Sequence, residues 1–104
     1  MIYLSRISSY LTFAAAVSFS ALGQAEEQFR HAVDSEPTLP AGHVNLANLL
    51  QRTGRTAEAE AAYRRALEIE PELPEAHRNL SSVLLWQNRL AEALQFALKA
   101  QQFD

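Results

Sequence analysis

From residue 40 onward, apolar and small side chains recur at steps of three and four, the spacing that sets them on one face of an α-helix. Val44, Leu46, Ala47, Leu49 and Leu50 form one such stripe, and Ala59, Ala62, Tyr63, Ala66 and Leu67 form a second. Between them "RTGRT" interrupts the pattern, and Gly54 suits a point where the chain must leave helical geometry without a Cβ clash. Pro40 sits where a helix start tolerates a missing N–H, Thr56 reads as the N-cap of the second helix, and Glu58 and Glu60 lie near the positive end of its dipole. Pro71 forbids continuation and Pro74 opens the next helix. The pattern then returns: "EPTLPAGHVNLANLL" (36–50) and "EPELPEAHRNLSSVL" (70–84) agree at eight of fifteen positions, 34 residues apart. The same offset relates Leu22, Thr56 and Leu90, then Ala25, Ala59 and Ala93, then Ala32, Ala66 and Ala100. Self-similarity at such a period marks a stacked repeat architecture.

Ala47, Ala59 and Ala66 are small where two antiparallel helices must touch, because bulk at a close crossing would push the pair apart. Each unit is then a helical hairpin whose outer apolar face needs a neighbour, and a stack supplies it. The expected fold is all-α: an α-solenoid of helix-turn-helix hairpins, two and a half to three repeats in five or six helices.

Residues 40–73, "PAGHVNLANLLQRTGRTAEAEAAYRRALEIEPEL", resemble a tetratricopeptide repeat. Leu46 and Ala47 stand where that family has its Leu-Gly pair, Leu50 where it has tyrosine, Gly54 at the turn, Ala59, Tyr63 and Ala66 in the second helix, and Pro71 at the end. The first-helix tryptophan slot holds His43 instead. Residues 74–104 resemble a second copy, truncated at its end, through Leu80, Ser81, Leu84, Leu90, Ala93 and Ala100; Asn88 replaces the turn glycine and the aromatic has moved to Phe96 beside Ala97. Residues 20–39 resemble the second half of an earlier copy through Leu22, Ala25, Phe29, Ala32 and Pro37. The resemblance of residues 40–73 to this repeat family implies a right-handed sense for the α-solenoid.

Residues 1–25 carry Arg6 as their only charged side chain, whereas the other eight basic and all twelve acidic residues follow from Glu26. Two readings of this segment stand. A basic residue, the apolar run "LTFAAAV" and small residues at Ala21, Gly23 and Ala25 resemble a secretory signal peptide, which would place the chain in the periplasm. Alternatively, residues 7–19 are a degenerate first helix of the earliest repeat, with Thr12 and Phe13 in the slots of Leu46 and Ala47, in a cytoplasmic protein. The serines between Ser8 and Ser20 argue against a permanent membrane span, so membrane association would run only through this segment.

The chain has 104 residues, 48% of them hydrophobic, with a net charge of -3 and no cysteine. That is at most one domain, with neither disulfides nor thiolate chemistry. No basic stripe offers an electrostatic footprint for nucleic acid. His43 and His77 occupy equivalent slots about 10 Å apart at ordinary helix spacing; they are expected to pack at the seam between repeats, not to share a metal. The carboxylates at Glu58, Glu60, Glu68, Glu70 and Glu72 read as a solvated face, with Glu60–Arg64 and Arg64–Glu68 at i,i+4 spacing. No phosphate loop, HExxH or G-x-S-x-G is present, so no catalytic residue, metal site, cofactor or small-molecule substrate is expected.

The resemblance implies that first-helix positions line a concave groove for an extended peptide. The candidate residues are Asn45, Asn48, Arg52, Arg78, Asn79 and Ser82. A carboxamide offers an acceptor and two donors to a peptide unit, and arginine selects acidic side chains or a free carboxylate. Leu85 and Trp86 could add an apolar anchor. The implied function is a non-catalytic adaptor or scaffold binding a protein partner. One alternative is a substrate-recruiting segment of a larger enzyme, because the Asn-bearing repeats resemble those preceding the catalytic domain of O-linked N-acetylglucosamine transferases. Another is a small structural scaffold of an envelope complex. Phe96, Leu98 and Phe103 near the end add an expectation of self-association.

Overall fold

A computed structural model describes residues 20–104; the degenerate-helix reading of residues 7–19 lies outside the described part, as does all but residues 20–25 of the segment read as a signal peptide. Five helices make up that part: α1 (20–35), α2 (Pro40–Arg52), α3 (Thr56–Ile69), α4 (Pro74–Trp86) and α5 (Leu90–Phe103). α2 packs on α3 and α4 on α5 as hairpins, α3 packs on α4 between them, and α2 touches α4 more lightly. Phe29 and Val33 bring α1 onto the same core. None of the described helices is long and apolar enough to cross a membrane.

The starts of α2 and α4 follow from one local device: Leu39 and Leu73 are extended, as a residue before proline prefers, and Pro40 and Pro74 open the helices. The inner turns are equally alike. Gly54 has φ +79 and Asn88 φ +60, and both close a Schellman motif. Arg55 N–H donates to Leu50 O at 2.8 Å and Gly54 N–H to Gln51 O at 3.2 Å; Arg89 to Leu84 at 2.9 Å and Asn88 to Leu85 at 3.0 Å repeat the pattern. Asparagine is the side chain that best tolerates the left-handed region, which is why Asn88 can replace the expected glycine.

The N-cap expectation for Thr56 is not met. Ala59 N–H donates to Arg55 O at 3.0 Å, so Arg55 occupies the cap position, Thr56 is the first helical residue, and no side chain caps the helix.

The core holds Ala47, Ala59, Ala66 and Ala76 with no exposed surface at all, confirming small residues at close crossings, and around them pack Tyr63, Leu50, Leu80, Val83 and Leu84. His43 and His77 are buried at the seams as expected. Each ring Nε2 donates to the carbonyl of a proline six residues earlier, Pro37 at 2.9 Å and Pro71 at 2.7 Å, and so ties the linking turn to the helix after it. A carbonyl can only accept, so Nε2 must carry the proton. His77 also stacks on Phe96 and lies beside Phe103, which turns both phenyl rings inward and leaves Leu98 exposed.

The acidic and basic side chains form more than a solvated face. Arg55 donates to both carboxylate oxygens of Glu26, at 2.6 and 2.7 Å, and binds Glu58, while Arg30 pairs with Glu26 at 3.0 Å and approaches Glu58 at 4.0 Å. Thirty-four residues on, Arg89 grips Glu60, at 2.9 Å to each oxygen, and binds Glu92, with Arg64 bonded to Glu60 and Glu92 at 3.0 and 3.3 Å. Each cluster latches the second helix of one unit to the turn of the next. Glu68 pairs with Arg65 at 2.7 Å, not with Arg64 as i,i+4 spacing suggested. Hydrogen bonds from Arg55 and then Arg30 hold Glu26 below the usual carboxylate range, and Arg55 does the same to Glu58. At Glu60 partial burial works the other way and is outweighed by bonds led by Arg64.

Candidate functional site

The first helices of the two complete hairpins, α2 and α4, lie side by side and carry a polar network. Asn79 Nδ2 donates to Asn48 Oδ1 at 3.0 Å, and Gln51 Nε2 donates to Ser82 Oγ at 3.2 Å. From α3, the Tyr63 hydroxyl reaches between them to Asn48 Oδ1 and, at 3.0 Å, to Gln51 Oε1. The Asn48 oxygen is thus committed to the fold, while its amide protons and the Asn79 amide oxygen have no hydrogen-bond partner among the described residues.

Asn48, Gln51, Arg52, Asn79 and Trp86 line one open recess, and a neighbouring one between Arg52 and Trp86 extends to Gly54 and Thr56. Trp86 is 81% exposed, far more than an indole normally leaves to water. Of the six residues proposed from sequence, the structure therefore brings Asn48, Arg52 and Asn79 together directly, with Ser82 attached through Gln51. Asn45 lies one turn away beside Val44, Leu73 and Glu75, and Arg78 lies on another side with Ser81 and Ala97. Gln51 and Tyr63 were not read as part of this surface. Gln51 follows Asn48 at helical spacing, a signal that could have found it.

Tyr63 is fully buried, and burial pushes its phenol up to about 12, partly offset by the Asn79 amide and reinforced by the carboxylate of Glu75. An unfolded tyrosine ionises at about pH 10, so between about 10 and 12 the unfolded chain loses a proton that the folded chain keeps. Stability is complete below that window and falls as pH rises through it, by roughly 2–3 kcal/mol. Urea denaturation across this range should show the loss, and Tyr63→Phe should remove it; an equal loss in Tyr63→Phe would assign it elsewhere.

A family model described as tetratricopeptide repeat matches residues 44–104. No curated protein matches the chain. Several solved structures share the fold. MamA from strain AMB-1 has a TM-score of 0.75 at 24% identity, over 85% of this chain and 52% of that one. The TPR2B domain of yeast Sti1, in complex with pHsp70, has a TM-score of 0.78 at 21% identity, over 93% and 78% of the two chains. The type III secretion translocator chaperone SycD of Yersinia enterocolitica has a TM-score of 0.77 at 20% identity, over 90% and 70%. The chain spans about half the length of MamA, and identities this low speak to fold alone. With its hairpin stack, its glycine and asparagine turns and a family match over more than half its length, the chain belongs to the tetratricopeptide repeat family.

Proposed function

We propose that this chain is a non-catalytic interaction module that holds an extended segment of a partner protein across α2 and α4, with residues 40–73 and 74–104 as its two units. The observation that carries this reading is the pairing of Asn48 with Asn79, which leaves two amide donors and an amide acceptor beside an exposed Trp86 and Arg52. Such a set bonds the backbone of a peptide without reading its side chains, offers one apolar anchor, and favours an acidic side chain or free carboxylate through the arginine. Asn45, one turn from this recess on α2, would extend the surface along that helix, Arg78 stands outside it on another side of α4, and Ser82 holds Gln51 in place. The complex of the yeast Sti1 domain supports the reading by example, since that domain shares this fold and is bound to a protein partner.

A panel of acidic peptides with free carboxylates, titrated against the whole chain by fluorescence anisotropy, tests this. Asn45→Ala with Asn79→Ala should weaken the best ligand by on the order of 1 kcal/mol per lost hydrogen-bonded pair, about fivefold each. Trp86→Ala should cost more, as a desolvated aromatic anchor does. Unchanged affinity in a folded double variant would reject the groove assignment.

A further inference from the structure

We infer that α5 carries a self-complementary surface by which two copies of this chain pair about a two-fold axis. The starting observation is positional. Glu26 and Glu60, and Arg30 and Arg64, recur at the 34-residue period as the second-helix side of the ionic latch, and on α5 the same two slots are Leu94 and Leu98. With Leu90 they form an exposed i, i+4, i+8 row, 61, 61 and 56% open in sequence order. Beside this row lies a recess lined by Arg78, Ser81, Ala97 and Ala100, with Asp104 at its rim. Ala97 stands where the preceding units have Phe29 and Tyr63, so the recess is the volume an aromatic ring would have filled.

This face continues an interface already present in the fold. The matching face of α3 is covered by α4 and by the turn before α5, whereas no described element covers that of α5. Its natural occupant is therefore a helix, and one that presents large apolar knobs to a floor of small residues. Among the described residues the exposed large hydrophobics are Leu39, Leu85, Trp86 and the α5 row, and the row alone has helical spacing. Knobs on α5 and a recess between α5 and α4 sit next to each other, which is the condition for an isologous contact in which each copy fills the other. Rows of i+4 side chains interdigitate at about -50° in the commonest class of helix packing. Arg78 and Asp104 carry opposite signs, so exchange across the axis sets unlike charges together, and the flanking Ala91 and Gln95 add no repulsion.

Sedimentation of the full chain from micromolar to submillimolar concentration reads the outcome. The wild-type chain should show a reversible monomer–dimer equilibrium. Leu94→Glu with Leu98→Arg restores the pair that α3 carries, keeps a helix-compatible i,i+4 spacing, and should raise the dissociation constant at least about thirtyfold with helical circular dichroism unchanged. Ala97→Tyr, which refills the recess, should act in the same direction. A wild-type chain that stays monomeric throughout would overturn the inference, as would a dimer that both variants leave intact, or growth beyond the dimer into an open stack.

Discussion

Tyr63→Ala is expected to destabilise the array by about 3–5 kcal/mol, the range for deleting a buried aromatic side chain. For a chain of this size that lowers the melting temperature by roughly 15–30 °C, enough to leave little helical signal at physiological temperature. Tyr63 has no exposed surface, and its hydroxyl reaches Asn48 and Gln51 on α2 while α4 contributes Asn79 to the same network. Removing the ring opens a cavity at the junction of three helices and frees the network it organises. Tyr63→Phe keeps the ring and loses one hydroxyl, so it should cost only about 1 kcal/mol. Thermal melts followed by circular dichroism separate the two. A Tyr63→Ala chain that melted as the wild type does would mean that the α2–α3–α4 junction is not where the stability resides.

Some of this architecture is legible without coordinates, because it is set by local sterics. Pro40 and Pro74 can only open helices, Gly54 marks the left-handed turn, and the alanines at 47, 59 and 66 announce close crossings. Thr56 was misread because cap identity depends on where the first intrahelical bond forms, and the Schellman geometry before it places that bond at Arg55. The ionic latch was in view as recurring Glu and Arg positions but read as a solvated face. Its key pairs, Arg55 with Glu26 and Arg89 with Glu60, are each 29 residues apart, a distance that no single-helix rule reports.

The candidate site shows the same limit. Matching by repeat sets Asn45 beside Asn79, yet the structure pairs Asn79 with Asn48 and Ser82 with Gln51, each 31 residues apart. Adjacent first helices are thus displaced by nearly one turn relative to the 34-residue repeat, so equivalence in sequence is not adjacency in space. That displacement is a property of how the hairpins stack, and only the packed core determines it.

Leu84→Ala extends this point to energetics. Leu84 is completely buried on α4, the helix that packs on α3 to one side and α5 to the other. Truncation there should cost about 3–4 kcal/mol, lost transfer energy plus the cavity left in the packed core. In a stacked array stability is a sum of unit and junction contributions, so a defect on the shared helix weakens the α4–α5 hairpin and its junction with α3 together. Hydrogen exchange should then show protection falling first across residues 74–103, while α2 and α3 keep more of theirs. The equivalent Leu50→Ala, on α2, should shift the loss toward the other hairpin. Were both variants to lose protection uniformly, the two hairpins would be a single cooperative unit, and the junction would be stronger than either hairpin alone.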